Sequence, residues 1–438
     1  MSNVFPRQIT NPPIKAVSSD GCYIIDENGK QYFDGSGGAA VSCLGHGDPD
    51  VIKAVQDQTS KMAFAHTGFF SSDPAEELAE LLIDNAPGEL DRVYFVSGGS
   101  EAIEAAIKLA RQFHIENGEP SRHHIIARKQ SYHGNTLGAL AAGGNKWRRN
   151  QFEPILIDVS HISPCYEYVD KLKEETSFDY GQRVAQELED EILRLGSDKV
   201  MAFIVEPVVG ATMGAVPAVP GYFKKVRNIC NKYGVLLILD EVMCGMGRTG
   251  HLFASEFDEI APDILCIAKG LGAGYQPIGA MLCSKDIYDR LGKGSGFFQH
   301  GHTYMGHPVA CAAGLAVLKA ILNRKLLSSI NNKSNQLFNC LKTQLEHPNI
   351  GDIRGRGLFI GIEIVKNIET KKPFDPNLKV AASIKNAAFE AGLICYPMSG
   401  TRDGKWGDHI LLAPPFIINE NQIIELVNKL SIAIESVK

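Results

Sequence analysis

Residues 235–241 run Val235-Leu236-Leu237-Ile238-Leu239-Asp240-Glu241, five aliphatic side chains ending in two acids. A run that is apolar on both faces reads as a strand buried on both sides, as in a parallel sheet covered by helices. Similar runs predict strands over 93–96, 124–127, 201–205, 235–239 and 264–268. Helical patterns separate them. The clearest covers 100–113, where Ile103, Ala106, Ile107, Ala110 and Phe113 recur at helical spacing. This alternation predicts an α/β chain built on a large, mainly parallel central sheet.

In such sheets ligands bind beyond the carboxyl ends of the strands, and the unusual polar residues stand there. Asp240 closes a buried strand, a costly place for a carboxylate unless a cation or strong donor meets it. A protonated pyridine nitrogen would do so; a structural arginine would serve as well. Lys269 ends the run Ile264-Leu265-Cys266-Ile267-Ala268 and is followed by Gly270, Gly272 and Gly274. Partial burial would make its amine a usable nucleophile, though a lysine simply exposed at a strand end would look the same. Ser97-Gly98-Gly99-Ser100 precedes the first helix, where glycines let backbone amides approach an anion; an ordinary N-cap reads identically. Anion cradle, acid and lysine together are the set that pyridoxal phosphate needs. Gly245-Met246-Gly247-Arg248-Thr249-Gly250 also fits the dinucleotide-binding spacing, and keeps an NAD-dependent oxidoreductase as an alternative.

The bulk numbers exclude other classes. The chain has 438 residues, a net charge of −6 and no long basic block, which argues against nucleic acid or an anionic membrane as partner. Ten cysteines stand without a Cys-x-x-Cys pair or zinc-ligand spacing, so no metal and no disulfide framework are expected. With no apolar signal segment at its start and no run long enough to span a bilayer, the chain is expected in the cytoplasm. An arm and a hairpin around Asn28-Gly29 fill 1–48, a large cofactor-binding domain covers 49–315, and a smaller α+β domain covers 316–438. Within the last two, helices are expected over 310–322 and 421–437, and strands near 357–364 and 409–412.

Six motifs stand in one order: VSGGSEAIEAAIKLAR, SYHG, VEPVVG, LDEVMCGMGRTG, AKGLGAGYQPIGA and HGHTYMGHP. With DGSGGAAVSCLGHGDP before them and LLAPPF after, the chain resembles the class III (ω-type) aminotransferases, pyridoxal phosphate enzymes of fold type I. The resemblance implies that Lys269 holds the cofactor covalently and Asp240 contacts its ring nitrogen. It implies that Gly99 and Ser100 bind the phosphate, that Tyr132 (beside His133) and Val242 cover the two ring faces, and that Glu206 lines the site. Thr303 is implied to reach the phosphate of a neighbouring subunit's cofactor, hence a homodimer with shared active sites.

Departures from the family pattern bear on substrate. Ornithine- and γ-aminobutyrate-type members carry a glutamine where this chain has Met243, a glutamate where it has Ala211, and a carboxylate-gripping arginine where it has Leu411. The chain therefore resembles the ω-amino acid/amine:pyruvate branch, in which Arg402 is the candidate for a mobile arginine. Ala40 stands where several pyruvate-dependent members place a tryptophan, and Phe69 and Phe70 are candidate aromatic walls. The resemblance implies ping-pong transfer from an ω-amino acid, diamine or amine to a 2-oxo acid, pyruvate before 2-oxoglutarate. A diaminopelargonate-type aminotransferase, a decarboxylase or aminomutase, or a cofactor-binding regulator are alternatives on the same fold.

Overall fold

The computed structural model describes residues 3–437; Met1, Ser2 and Lys438, at the ends of the segments expected over 1–48 and 316–438, lie outside the described residues. Seven strands form the central sheet: β1 (Leu90–Val96), β2 (His124–Arg128), β3 (Val159–Ile162), β4 (Val200–Val205), β5 (Leu236–Asp240), β6 (Ile264–Ile267) and β7 (Gly279–Ser284). Their spatial order is β1-β7-β6-β5-β4-β2-β3. β5 runs parallel to β4 and β6, and β2 parallel to β3 and β4. Only β7 is reversed, antiparallel to both β6 and β1.

All five expected strands form, each within three residues of its expected ends. β4, β5 and β6 are buried along their whole length, as their unbroken aliphatic sequences require. Each Leu or Ile removed from water there contributes about 1.5–3 kcal/mol. β3 and β7 escape a pattern reading for different reasons. Val159-Ser160-His161-Ile162 is an edge strand with polar residues in its middle. Gly279–Ser284 returns from the glycine-rich turn after Lys269 with only the single 3-10 turn Lys269–Leu271 and no α-helix between.

The helix expected over 100–113 spans Gly99–Glu116 and lays Ala102, Ile103, Ala106, Leu109 and Ala110 against the sheet. The glycine run 245–250 opens no helix: turns occupy it, and Arg248 is buried, donating to the carbonyls of Leu358 and Pro414. That is a structural use of a sequence that matches the dinucleotide fingerprint.

The hairpin forms as expected, Tyr23–Asp26 against Gln31–Asp34, and Ala16–Asp20 adds a further strand. Gln31–Asp34 also pairs in parallel with Leu393–Ile394, which binds the start of the chain to its last third. A four-stranded antiparallel sheet, Ile350–Arg356, Phe359–Ile364, Asp408–Leu412 and Tyr396–Ser399 in that order, completes this part. Helices Leu326–Gln344 and Val380–Glu390 pack on it, and Glu420–Ile434, opened by a capping box between Asn419 and Gln422, packs on those two helices. Among the described residues no helix is long and apolar enough to cross a membrane.

Candidate active site

The parallel strands of the sheet end on one rim, and a cleft of ≈ 430 Å³ opens there. β1 delivers Ser97–Ser100, β2 leads to Tyr132–Gly134, β4 to Glu206, β5 to Asp240 and Val242, and β6 to Lys269. The reversed strand β7 starts at the same rim and adds Gln276, Pro277 and Ile278. Eight of the residues singled out by sequence therefore meet in one cavity: Gly99, Ser100, Tyr132, His133, Glu206, Asp240, Val242 and Lys269.

Several are held by specific contacts. Asp240, 3% exposed, faces His133 Nδ1 through Oδ2 at 2.8 Å and accepts the Val242 amide on Oδ1 at 3.0 Å. Among the described residues His133 Nε2, which is buried, has no partner. Glu206 is buried too; its two oxygens accept the backbone amides of Tyr132 at 3.1 Å and Gly210 at 2.9 Å. Burial pushes the Glu206 carboxyl up, with Asp240 adding to the shift. Its visible work is thus to fix the Tyr132 backbone. The ring of Tyr132 in turn lies 4.5 Å from the Arg148 guanidinium.

Lys269 sits in the left-handed region at φ 44°, a conformation that costs a non-glycine residue about 1–2 kcal/mol. Such strain persists only where the surroundings impose it. Burial lowers the Lys269 amine from its ordinary range, against the opposing pull of Asp240 and Glu206. The neighbouring acid Glu241 points the other way, accepting the amides of Ala254 and Ser255, and burial raises it to about 7.

The residues present suit a phosphorylated pyridine aldehyde. A Cβ on Gly99 would come 2.7 Å from Val242 Cγ1, so only glycine lets the loop pass this close to the Val242 side chain. A Cβ on Gly134, whose φ is +144°, would meet Ser100 Oγ at 2.6 Å. Helix Gly99–Glu116 starts at this cradle and presents the positive end of its dipole to an anion. The buried carboxylate suits a protonated ring nitrogen, and the lysine an aldehyde carbon.

The remaining residues lie elsewhere. Ala40 is buried at φ 61°, packed among Phe359, Leu411 and Ala413 behind the cavity, and its neighbour Val41 lines the cleft instead. Phe69 and Phe70 are 81% and 67% exposed and line no part of this chain's cleft. Thr303 is exposed and outside it as well. Arg402 donates through Nη2 to the Lys371 carbonyl and does not line the cleft. Of the three departures from the family pattern, Ala211 and Met243 line the cavity; Leu411 does not. Gln276, Pro277 and Ile278 lie inside the motif AKGLGAGYQPIGA with no role assigned to them by sequence, and Ser97, from the glycine cradle, bonds His302 Nε2 at 2.9 Å.

The chain matches the family model described as aminotransferase class-III over residues 4–434. It is 46% identical to a protein of Schizosaccharomyces pombe described as an uncharacterized aminotransferase, over 97% of this chain and 93% of that one. It is 35% identical to a chloroplastic gamma aminobutyrate transaminase of Solanum lycopersicum, over 95% of this chain and 79% of the other. Among solved structures, an (S)-enantioselective omega-transaminase from Thermomicrobium roseum superposes with a TM-score of 0.93 at 34% identity, covering 100% of this chain and 97% of that one.

Proposed function

The chain belongs to the class-III aminotransferases, pyridoxal phosphate enzymes of fold type I, and from that premise we propose that it transfers the amino group of an ω-amino acid, diamine or simple amine to a 2-oxo acid, pyruvate before 2-oxoglutarate. One observation carries the choice of donor. The cleft lining contains Lys269 and His133 but no arginine. An α-carboxylate beside the reacting amine would find no fixed bidentate partner there. A donor whose amine is remote from any carboxylate needs none. The γ-aminobutyrate named for the tomato relative is an amine of this kind.

Pyridoxal phosphate supplies an electrophilic aldehyde and a ring that accepts an electron pair from the substrate carbon. The chain does the rest. Amides at Gly99 and Ser100 would hold the phosphate, and Tyr132 and Val242 would close on the ring. Asp240, oriented by His133 and the Val242 amide, keeps its charge opposite the ring nitrogen. Lys269 would hold the aldehyde, and its amine, once free, would be the base placed to move a proton at the substrate carbon. The depressed amine pKa favours the free base this requires. The same residues then run the steps in reverse for the 2-oxo acid, giving ping-pong kinetics. Arg402 binds the acceptor's carboxylate after leaving the Lys371 carbonyl. Two copies share their sites through Thr303, and ten unpaired cysteines suit a reducing cytoplasm.

A panel of amines assayed with pyruvate and with 2-oxoglutarate tests the reading. Turnover of ω-amino acids or amines with pyruvate is expected. A strict requirement for α-amino acid donors would refute it.

A further inference from the structure

Arg148 stands beside the cleft with its guanidinium over the rings of Tyr132 at 4.5 Å and Trp147 at 5.9 Å, and among the described residues no carboxylate pairs with its charge. It is half-buried, its Nε is shielded from water without a partner, and among the described residues no carboxylate or carbonyl accepts from its guanidinium. Its neighbour Arg149 behaves in the usual way, donating to the carbonyls of Leu140, Ala141 and Gly143. A guanidinium partly removed from water normally finds such acceptors.

Its position is fixed. Asn145 caps the short turn Lys146–Arg149 by accepting the Arg148 amide at 3.2 Å, and donates to Gln130 Oε1 at 3.2 Å. Gln130 donates onward to the carbonyls of Gly400 at 2.6 Å and Thr401 at 3.0 Å. The loop that carries Arg402 also packs on this turn, since a Cβ on Gly404 would fall 2.9 Å from the Trp147 nitrogen. Arg148 is thus braced over Tyr132, one ring removed from the cavity that Tyr132 lines. Stacking engages the face of a guanidinium and leaves its N–H edge free to take a carboxylate with two parallel bonds.

Resting on the function proposed above, we infer that Arg148 binds the distal carboxylate of an ω-amino acid donor. A carboxylate next to the reacting carbon would lie on the cleft side of Tyr132. One carried on a chain of several methylenes can pass the ring and meet the guanidinium. This gives the chain separate cations for its two substrates: Arg148 for the far end of the donor, Arg402 for the carboxylate beside the acceptor's ketone.

The test compares matched donors on the holoenzyme with pyruvate as acceptor: 4-aminobutanoate against butylamine, and 6-aminohexanoate against hexylamine. Arg148→Gln is expected to lower kcat/KM for the amino acids by about tenfold to a hundredfold, chiefly through KM. The plain amines should keep their values within about twofold, and Arg148→Lys should restore part of the loss. Equal losses for both members of a pair would show that Arg148 merely supports Tyr132, and would overturn the assignment, as would no loss at all. A loss confined to 2-oxoglutarate relative to pyruvate would place the cation on the acceptor side and overturn it too. A wild-type enzyme that uses amines but ignores the distal carboxylate sinks this inference alone; one that uses none of the four donors sinks the parent reading with it.

Discussion

Asp240 spends one oxygen on His133 Nδ1 and the other on the Val242 amide, so its orientation is set before any ligand arrives. Preorganised charge of this kind is worth most where water is excluded. Asp240→Asn keeps the shape and loses the charge; it is expected to retain cofactor, read by absorbance, and to lose about a hundredfold to a thousandfold in kcat. Near-normal turnover would remove Asp240 from its role. Lys269→Ala tests the anchor differently. Borohydride should fix the cofactor to the wild-type chain, detectable as added mass on the peptide containing Lys269, and should leave no such mark on the variant. A tagged peptide elsewhere would relocate the anchor. Arg402 makes a third case, because its guanidinium is engaged with the Lys371 carbonyl outside the cleft. If it swings in to take pyruvate, Arg402→Ala should raise the acceptor's KM about tenfold to a hundredfold and spare a carboxylate-free amine. Equal effects on both half-reactions would assign the task to another residue.

At the end of β5, two adjacent acids are sent to opposite fates: Asp240 enters the cleft, while Glu241 holds the turn at Ala254 and Ser255. Burial lifts Glu241 from 4.5 to about 7. The folded chain therefore holds that proton more tightly than the unfolded one, so the stabilisation is full below about 4.5 and is lost as pH rises through about 7. The shift corresponds to roughly 3 kcal/mol across that window. Wild-type Tm should accordingly fall more steeply between pH 5 and pH 8 than that of Glu241→Gln, measured by calorimetry; parallel slopes would contradict it. This pair also marks how far sequence reading reaches. Strands such as β4 and β5 are legible because burial on both faces demands an unbroken aliphatic run. β3 is not, since an edge strand tolerates Ser160 and His161, and β7 is hidden because no α-helix separates it from Lys269. Of the eight site residues, Gly99, Ser100, Asp240 and Lys269 are legible from strand ends and a glycine cradle, while Tyr132, His133, Glu206 and Val242 are legible only through the resemblance to the family. Arg148 is not, for its one-turn helix has no periodicity and its meaning comes only from the stacking on Tyr132.

Over the whole molecule, three of the residues absent from this chain's cleft, Phe69, Phe70 and Thr303, are exposed. Phe69 and Phe70 are 81% and 67% exposed, and Tyr304, next to Thr303, is 57% exposed. The rings of Phe64 and Tyr304 lie 5.9 Å apart, and those of Phe69 and Phe70 6.5 Å apart, so this surface carries aromatic groups on more than one segment. Large apolar side chains grouped on a surface mark a contact with another molecule, and the homodimer proposed above would fill that role and give Thr303 a use. In that arrangement each cleft is completed by its neighbour, and assembly and cofactor binding become linked equilibria. Diluting the holoenzyme until sedimentation shows monomer should then release cofactor. Phe69→Asp, at a largely exposed side chain, should weaken association and cofactor retention together while leaving the far-ultraviolet circular dichroism unchanged. A monomer that keeps both cofactor and full turnover would show that one chain's cleft is complete, and that the exposed aromatic groups serve some other contact.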